Sequence, residues 1–179
     1  IDNDLSATEL TFGFRTAIDI ATEALDRLHT TAASHDRVMV LEVMGRNSGW
    51  IALEAGLAGS AAVILIPEIP FSFDAIIKKV YEREKRGSLF TNIVVAEGAM
   101  EIGKSEIYLD EDEMRLGGVG RALVTGERGK MVALRAGRVV TVPLADAIAN
   151  IKSVNPDGQL VRTARDIGIS FAAPDEEDH

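Results

Sequence analysis

Two carboxylates stand at the head of this chain. In Ile1-Asp2-Asn3-Asp4 the acids are two residues apart, so an extended or turn conformation projects both to one side. Such a pair can hold Mg2+ while one member takes a proton from a hydroxyl, and each raises the other's pKa until a cation neutralises them. Asp and Asn are also the ordinary residues of turns and helix caps, and a turn ahead of Thr8 is the simpler reading of spacing alone. A second candidate is Val40-Leu41-Glu42-Val43-Met44-Gly45-Arg46-Asn47-Ser48-Gly49-Trp50, where an apolar strand runs into a polar turn and then a helix. Gly45 lets backbone pass close to a ligand, and Arg46 offers a fork of donors to phosphate or carboxylate. The helix start near Ser48 or Gly49 would aim unpaired amides and the positive dipole end at the same anion. A plain strand-to-helix connection remains the alternative.

The elements that must position these residues alternate in kind. Phe14 to His29 carries Ala17, Ile20, Ala21, Ala24, Leu25 and Leu28 at helical spacing. Val38 to Val43 is short, β-branched and nearly continuous in apolar character, which predicts a strand covered on both faces. A buried Ala- and Gly-rich helix (Ile51 to Leu57) and a second strand (Ala61 to Ile66, ended by Pro67) follow. Phe73 to Arg86 is an amphipathic helix with Ile76, Ile77 and Val80 inward, stopped by Gly87, and Ile93 to Ala96 is a third strand. This order predicts an α/β three-layer sandwich around a mainly parallel sheet, with ligands beyond the carboxyl ends of the strands. Those ends are Met44-Gly45-Arg46, Pro67-Glu68 and Glu97-Gly98.

Past Gly98 the pattern weakens. Asp110-Glu111-Asp112-Glu113 reads as a solvated loop or helix start more readily than a metal site. Met131 to Leu134 and Val139 to Val142 predict a hairpin turning at Ala136-Gly137, and Leu144 to Ile151 a helix. Trp50 reads as a packing residue, and His35, beside Asp36, as a loop histidine.

Composition bounds the function classes. The chain has 179 residues, 46% hydrophobic and 26% charged, enough to bury a core and expected to be soluble. A net charge of −9 argues against a nucleic-acid backbone as partner, and acids crowd the tail at Asp175 to Asp178. No window of 18 apolar residues suggests a membrane span, and Ile1-Asp2-Asn3-Asp4 does not resemble a signal peptide. The absence of cysteine excludes disulfides and thiolate chemistry and agrees with a cytoplasmic location.

Several stretches together resemble the 6-phosphofructokinases. They are Ile1-Asp2-Asn3-Asp4, Phe12-Gly13-Phe14-Arg15-Thr16-Ala17, Ser34-His35-Asp36-Arg37, Glu42-Val43-Met44-Gly45-Arg46, Pro67-Glu68 and Ala96-Glu97-Gly98, and the likeness resumes from Gly129-Lys130-Met131 through Asp157-Gly158. Asn47-Ser48-Gly49-Trp50 looks most like the pyrophosphate-dependent and mixed-substrate bacterial branch. The resemblance implies phosphoryl transfer from pyrophosphate or ATP to the C1 hydroxyl of fructose 6-phosphate. Asp2 would be the general base, and Asp4 would help hold Mg2+. Met44, Gly45 and Glu97 would line the sugar pocket, and Arg46 would stabilise the moving phosphoryl group or order the turn. Arg37 would reach the 6-phosphate bound by a neighbouring subunit, which implies a homodimer or tetramer.

This sequence also departs from that family. It shows none of the Gly-rich donor half that precedes Asp2 there, and Arg121-Ala122-Leu123-Val124 directly follows Leu116-Gly117-Gly118-Val119-Gly120, where relatives carry further phosphate-binding residues. The expectation is a fragment or truncated relative. Residues 1–120 would form the sugar-phosphate domain, 121–171 strands and a helix packed on it, and 172–179 an acidic tail. A catalytically incomplete module for sugar-phosphate binding or subunit association is the alternative function. His29 and Ala62 replace a charged pair of the allosteric bacterial members. Little ADP activation or phosphoenolpyruvate inhibition of the bacterial type is expected, and effector-dependent sigmoidal kinetics in the full-length parent would overturn this.

Overall fold

A computed structural model describes residues 1–35, 37–88, 90–103 and 130–174. The acidic run at 110–113, the 116–124 stretch and the end of the tail lie outside the described residues. The elements run α1 (Phe14–His35), β1 (Val38–Val43), α2 (Trp50–Ala58), β2 (Val63–Leu65), α3 (Phe73–Lys85), β3 (Thr91–Ala96), β4 (Lys130–Arg135), β5 (Arg138–Pro143), α4 (Leu144–Ile148) and α5 (Gln159–Asp166).

The first three strands make a parallel sheet in the order β1-β3-β2, with Val40 opposite Ile93 and Val63 opposite the same residue on the other side. Side chains alternate across a strand, so the sheet has two distinct faces. Leu41, Val43, Ile64, Ile66, Val94 and Ala96 pack toward α1, α2 and α5, whereas Val63, Leu65, Ile93 and Val95 pack toward α3 through Ala75 and Ile76. That is the three-layer α/β arrangement expected. Chain beyond α5 widens the sheet. Ile64 N–H donates to the Ser170 carbonyl and Ser170 N–H to Ala62, so the segment around Ser170 runs parallel along β2.

Local sequence explains most elements. In α1, Phe14, Ile18, Ala21, Leu25 and Ala32 recur at helical spacing and are buried. α2 is buried over most of its circumference because it lies between the sheet, α1 and α5. The β4–β5 hairpin turns at Ala136 and Gly137, both at positive φ, as a two-residue type I′ turn requires. It docks on the start of the chain: Arg135 Nε donates to the Ala7 carbonyl at 2.9 Å, and Ala133, Val142 and Ala147 enclose Ala7.

Five expectations need correction. β1 is not covered on both faces; Val38, Val40 and Glu42 are exposed, because α3 covers the β2–β3 side of that face. Ile20 is 63% exposed and Ile18 takes its place inward. Ile77 likewise faces out on α3, where only Ala75 and Ile76 meet the core. The first helix continues six residues past His29, and the last expected helix stops at Ile148, three residues early.

Phe171, fully buried against the sheet and beneath Arg165, anchors the added segment. Phe171→Ala is expected to cost about 3–5 kcal/mol, read as a lower midpoint in urea unfolding.

Candidate active site

The carboxyl ends of β1 and β3 meet at a crossing of bare backbone. Pairing between them continues past the strands: Glu97 N–H donates to the Val43 carbonyl at 2.9 Å and Gly98 N–H to the Gly45 carbonyl at 3.2 Å. A Cβ on Gly98 would overlap the Arg46 carbonyl, so only glycine allows this approach. Gly45 sits at φ 141°, and a side chain there would also press on the Ser48 carbonyl. The crossing sets Met44, Gly45, Arg46 and Glu97 at one edge of the sheet. Met44 and Glu97 are exposed there, and Arg46 is half-buried.

The chain start is held against this edge. Asn3 is buried at φ 59° and exchanges two hydrogen bonds with Thr11, one from its own N–H to the Thr11 hydroxyl and one from Thr11 N–H to its Oδ1, each 3.1 Å. This is the turn role expected of Asn, and the acids flank it. Buried Ser48, on the β1–α2 turn, donates its hydroxyl to the Asp2 carbonyl at 3.4 Å.

Asp2 is half-buried, and its Oδ1 is enclosed without a hydrogen-bond partner. Burial pushes its carboxyl above the ordinary value, and the Asp4 and Glu97 charges add to the rise. Asp2 therefore feels both Asp4 beside it and Glu97 at the β3 end. Among the described residues no three His, Asp or Glu side chains converge closely enough to enclose a metal. Mg2+ asks for less, since it is commonly held by one or two carboxylates with water and substrate phosphates.

Arg37 stands apart. It precedes β1 at the amino end of the strand, while Arg46 follows the carboxyl end, so about 16 Å of parallel strand separates them. It is exposed, and its carbonyl accepts from Thr91 N–H. His29 lies at that same far end with its ring 4.6 Å from that of Phe90, and Ala62 is buried.

The start of α2 differs from expectation. Gly49 N–H donates to both carboxylate oxygens of Glu68, at 3.1 Å each, so this amide is not free for an outside anion. Sequence reasoning also missed the segment around Lys152. Lys152 N–H donates to the Asp4 carbonyl, its carbonyl accepts from Trp50 Nε1 at 2.7 Å, its Nζ lies over the indole, and Nζ donates to the Glu9 carbonyl. Trp50 is thus a packing residue with a used polar edge. No residue-type signal marks such links, because most of them end on backbone atoms.

Residues 1–141 match the family model described as Phosphofructokinase. The chain belongs to the phosphofructokinase family. A curated relative named ATP-dependent 6-phosphofructokinase, from Chloroflexus aurantiacus, is 48% identical over an alignment covering 96% of this chain and 60% of the relative. One from Clostridium perfringens, named ATP-dependent 6-phosphofructokinase 2, is 47% identical over 96% of this chain and 61% of its own length. For the fold, a solved pyrophosphate-dependent phosphofructokinase from Marinobacter aquaeolei superposes with a TM-score of 0.66 at 22% identity, over 94% of this chain and 58% of that one. This phosphofructokinase chain spans about three-fifths of the length of the curated relatives it matches. The Chloroflexus alignment runs to 216 positions against 179 residues here, so that relative carries internal sequence that this chain lacks.

The raised pKa of Asp2 has a stability consequence. A carboxyl whose folded pKa exceeds its unfolded value near 3.8 stabilises the fold below that value, and the contribution is lost as pH rises through the folded pKa. In metal-free buffer Asp2→Asn should therefore melt on the order of a few degrees above wild type near neutrality, with the curves converging below the usual carboxylate range. Parallel pH profiles for the two proteins would contradict the shift.

Proposed function

We propose that this chain carries the sugar-phosphate half of a 6-phosphofructokinase, which transfers a phosphoryl group from ATP or pyrophosphate to the C1 hydroxyl of fructose 6-phosphate in glycolysis. The observation that carries this reading is the half-buried Asp2 carboxylate, with one unpartnered oxygen and a raised pKa, tied through Ser48 to the Gly45–Arg46 turn. A carboxylate with an elevated pKa is a better base for a hydroxyl than an ordinary one. The names of the curated relatives favour ATP as donor, and the Asn47-Ser48-Gly49-Trp50 turn favours pyrophosphate.

In the proposed reaction Asp2 takes the C1 hydroxyl proton as the new oxygen–phosphorus bond forms and the bond to the donor's leaving oxygen breaks, releasing ADP or phosphate. Phosphoryl transfer needs little covalent help, so the remaining residues position and neutralise. Arg46 would meet charge on the moving phosphoryl oxygens. Met44 and Gly45 would pack against the sugar, and Glu97 would accept from its hydroxyls. Asp4, with Asp2 beside it, would hold Mg2+, and a bound Mg2+ would offset the donor's phosphate charge as well as the mutual repulsion of the acids. Arg37, at the wrong end of β1 for its own chain's site, fits a role at the 6-phosphate of a neighbouring subunit in a dimer or tetramer. The presence of all groups on one soluble, cytoplasmic polypeptide is part of the proposal; among the described residues no helix is long and apolar enough to cross a membrane.

A second reading has its own support. The chain lacks internal sequence present in its relative, which favours a sugar-phosphate-binding or subunit-association module for this polypeptide acting alone. His29 and Ala62, both engaged in packing, favour weak response to bacterial effectors.

Calorimetry with fructose 6-phosphate, then with Mg2+ and ATP or pyrophosphate, combined with an assay for fructose 1,6-bisphosphate, separates the readings. Sugar binding with turnover supports the enzyme, sugar binding alone supports a sugar-phosphate-binding module, and no sugar binding refutes both of these and leaves only subunit association. Where turnover is present, Asp2→Asn should lower kcat by about 10²–10⁴-fold with little change in sugar affinity. Arg37→Ala should instead weaken sugar-phosphate binding by roughly 10–100-fold, the range for a lost charge-assisted hydrogen bond. Equal loss of both parameters in Asp2→Asn would count against a base.

A further inference from the structure

Glu68 belongs to no catalytic role above, yet its carboxylate joins two parts of the site. It stands in a tight turn after β2, in which Ile69 N–H returns to the Ile66 carbonyl at 3.2 Å and Pro67 occupies the second position. The turn points the half-buried carboxylate back across the sheet edge. Both oxygens accept from Gly49 N–H, and Oε1 also accepts from Val154 N–H at 2.8 Å.

Those two amides belong to different parts of the site. Gly49 ends the turn that begins at Gly45 and opens α2, where a negative charge is favoured by the helix dipole. Val154 lies two residues beyond Lys152, whose N–H holds the Asp4 carbonyl and whose own carbonyl holds Trp50 Nε1. Ile151 pairs with Leu5 just before it. One carboxylate therefore bridges the arginine-bearing turn and the strap that holds the acid-bearing segment.

We propose that Glu68 is a positioning residue that sets the Gly45–Gly49 turn against the Asp2–Asp4 segment, with the strap Ile151–Val154 as the link. The proposal rests on the sugar-phosphate reading for its functional consequence and on geometry alone for its structural one. Loss of the carboxylate frees the α2 start and the strap together, so Arg46 and Asp2 lose their common frame while the sheet stays intact. Glutamine keeps an oxygen acceptor and the length of the side chain, and so preserves part of the bridge.

Two measurements on the full chain test this. In amide hydrogen exchange without ligand, Glu68→Ala should speed exchange at Gly49, Val154 and Lys152 by about tenfold or more, leave Val94 and Val95 in β3 unchanged, and show an intermediate effect in Glu68→Gln. Trp50, the single tryptophan, should shift in emission in the same order. Equal acceleration in β3 would reduce Glu68 to a general stabilising residue and overturn the proposal, as would unchanged exchange at Gly49 and Val154. In calorimetry, fructose 6-phosphate should bind about tenfold more weakly to folded Glu68→Ala and regain most of its affinity in Glu68→Gln. Wild-type affinity in a folded Glu68→Ala would overturn the functional half. Failure of the wild-type chain to bind the sugar would refute the sugar-phosphate reading instead, and exchange would still decide the role of Glu68. Should Glu68→Ala not fold, Glu68→Gln and Trp50→Phe, which cuts the Lys152 end of the strap, carry the same comparison.

Discussion

The close passage of Gly98 beneath the Arg46 carbonyl is the constraint from which the rest of the site follows. Parallel strands pair along their length, and here the pairing runs on into the two turns, through Glu97 to Val43 and Gly98 to Gly45. A chain leaving β1 at that level cannot continue straight, because the backbone after β3 already occupies the space. It turns at Gly45, brings buried Ser48 under the chain start, and enters α2 at Trp50. Arg46 and Glu97 then share one sheet edge without a single side-chain hydrogen bond between them being required. This edge is set by backbone geometry, and the side chains are carried on it.

Onto that edge the fold places charge it does not neutralise. The Asp4 and Glu97 charges bear on Asp2, which is also half withdrawn from water with an oxygen left unpaired. Enclosed polar atoms without partners cost about 1–3 kcal/mol each, comparable with a sizeable part of a domain's net stability. An arrangement selected for stability alone would pair that oxygen or replace the acid. The expense is intelligible if a cation and a hydroxyl supply the missing partners when the site is filled, which is the usual logic of perturbed carboxyls at functional sites.

Much of this was legible in the sequence, and the limits have physical causes. The alternation of apolar runs revealed the parallel sheet, and the turn residues revealed Gly45, Asn3 and the Ala136-Gly137 hairpin. Continuous apolar character misled at β1, because an edge strand with one open face can be as rich in valine as a buried central one. Expecting a vacant helix start at Gly49 failed for another reason. The anion that meets it is a side chain of this protein, Glu68, nineteen residues away in sequence, and no local pattern announces a carboxylate that returns from the next strand. The Lys152 segment was less visible still. Its links to Asp4, Trp50 and Glu9 run over a hundred or more residues and most end on backbone atoms, which every residue type possesses.

The two ends of β1 bear on how many chains a complete site needs. Arg46 and Asp2 lie at its carboxyl end, Arg37 at its amino end, and a six-residue strand is rigid enough that no side-chain rotation brings them together. If both ends touch the same sugar phosphate, two copies must present opposite ends of the strand to each other, and the symmetry of such a pair gives two equivalent sites at once. Among the described residues the face of β1 that carries Val38 and Val40, 48% and 59% exposed, is left partly uncovered. Binding of fructose 6-phosphate would then depend on association as well as on the edge residues, since each chain holds only its own share of the contacts.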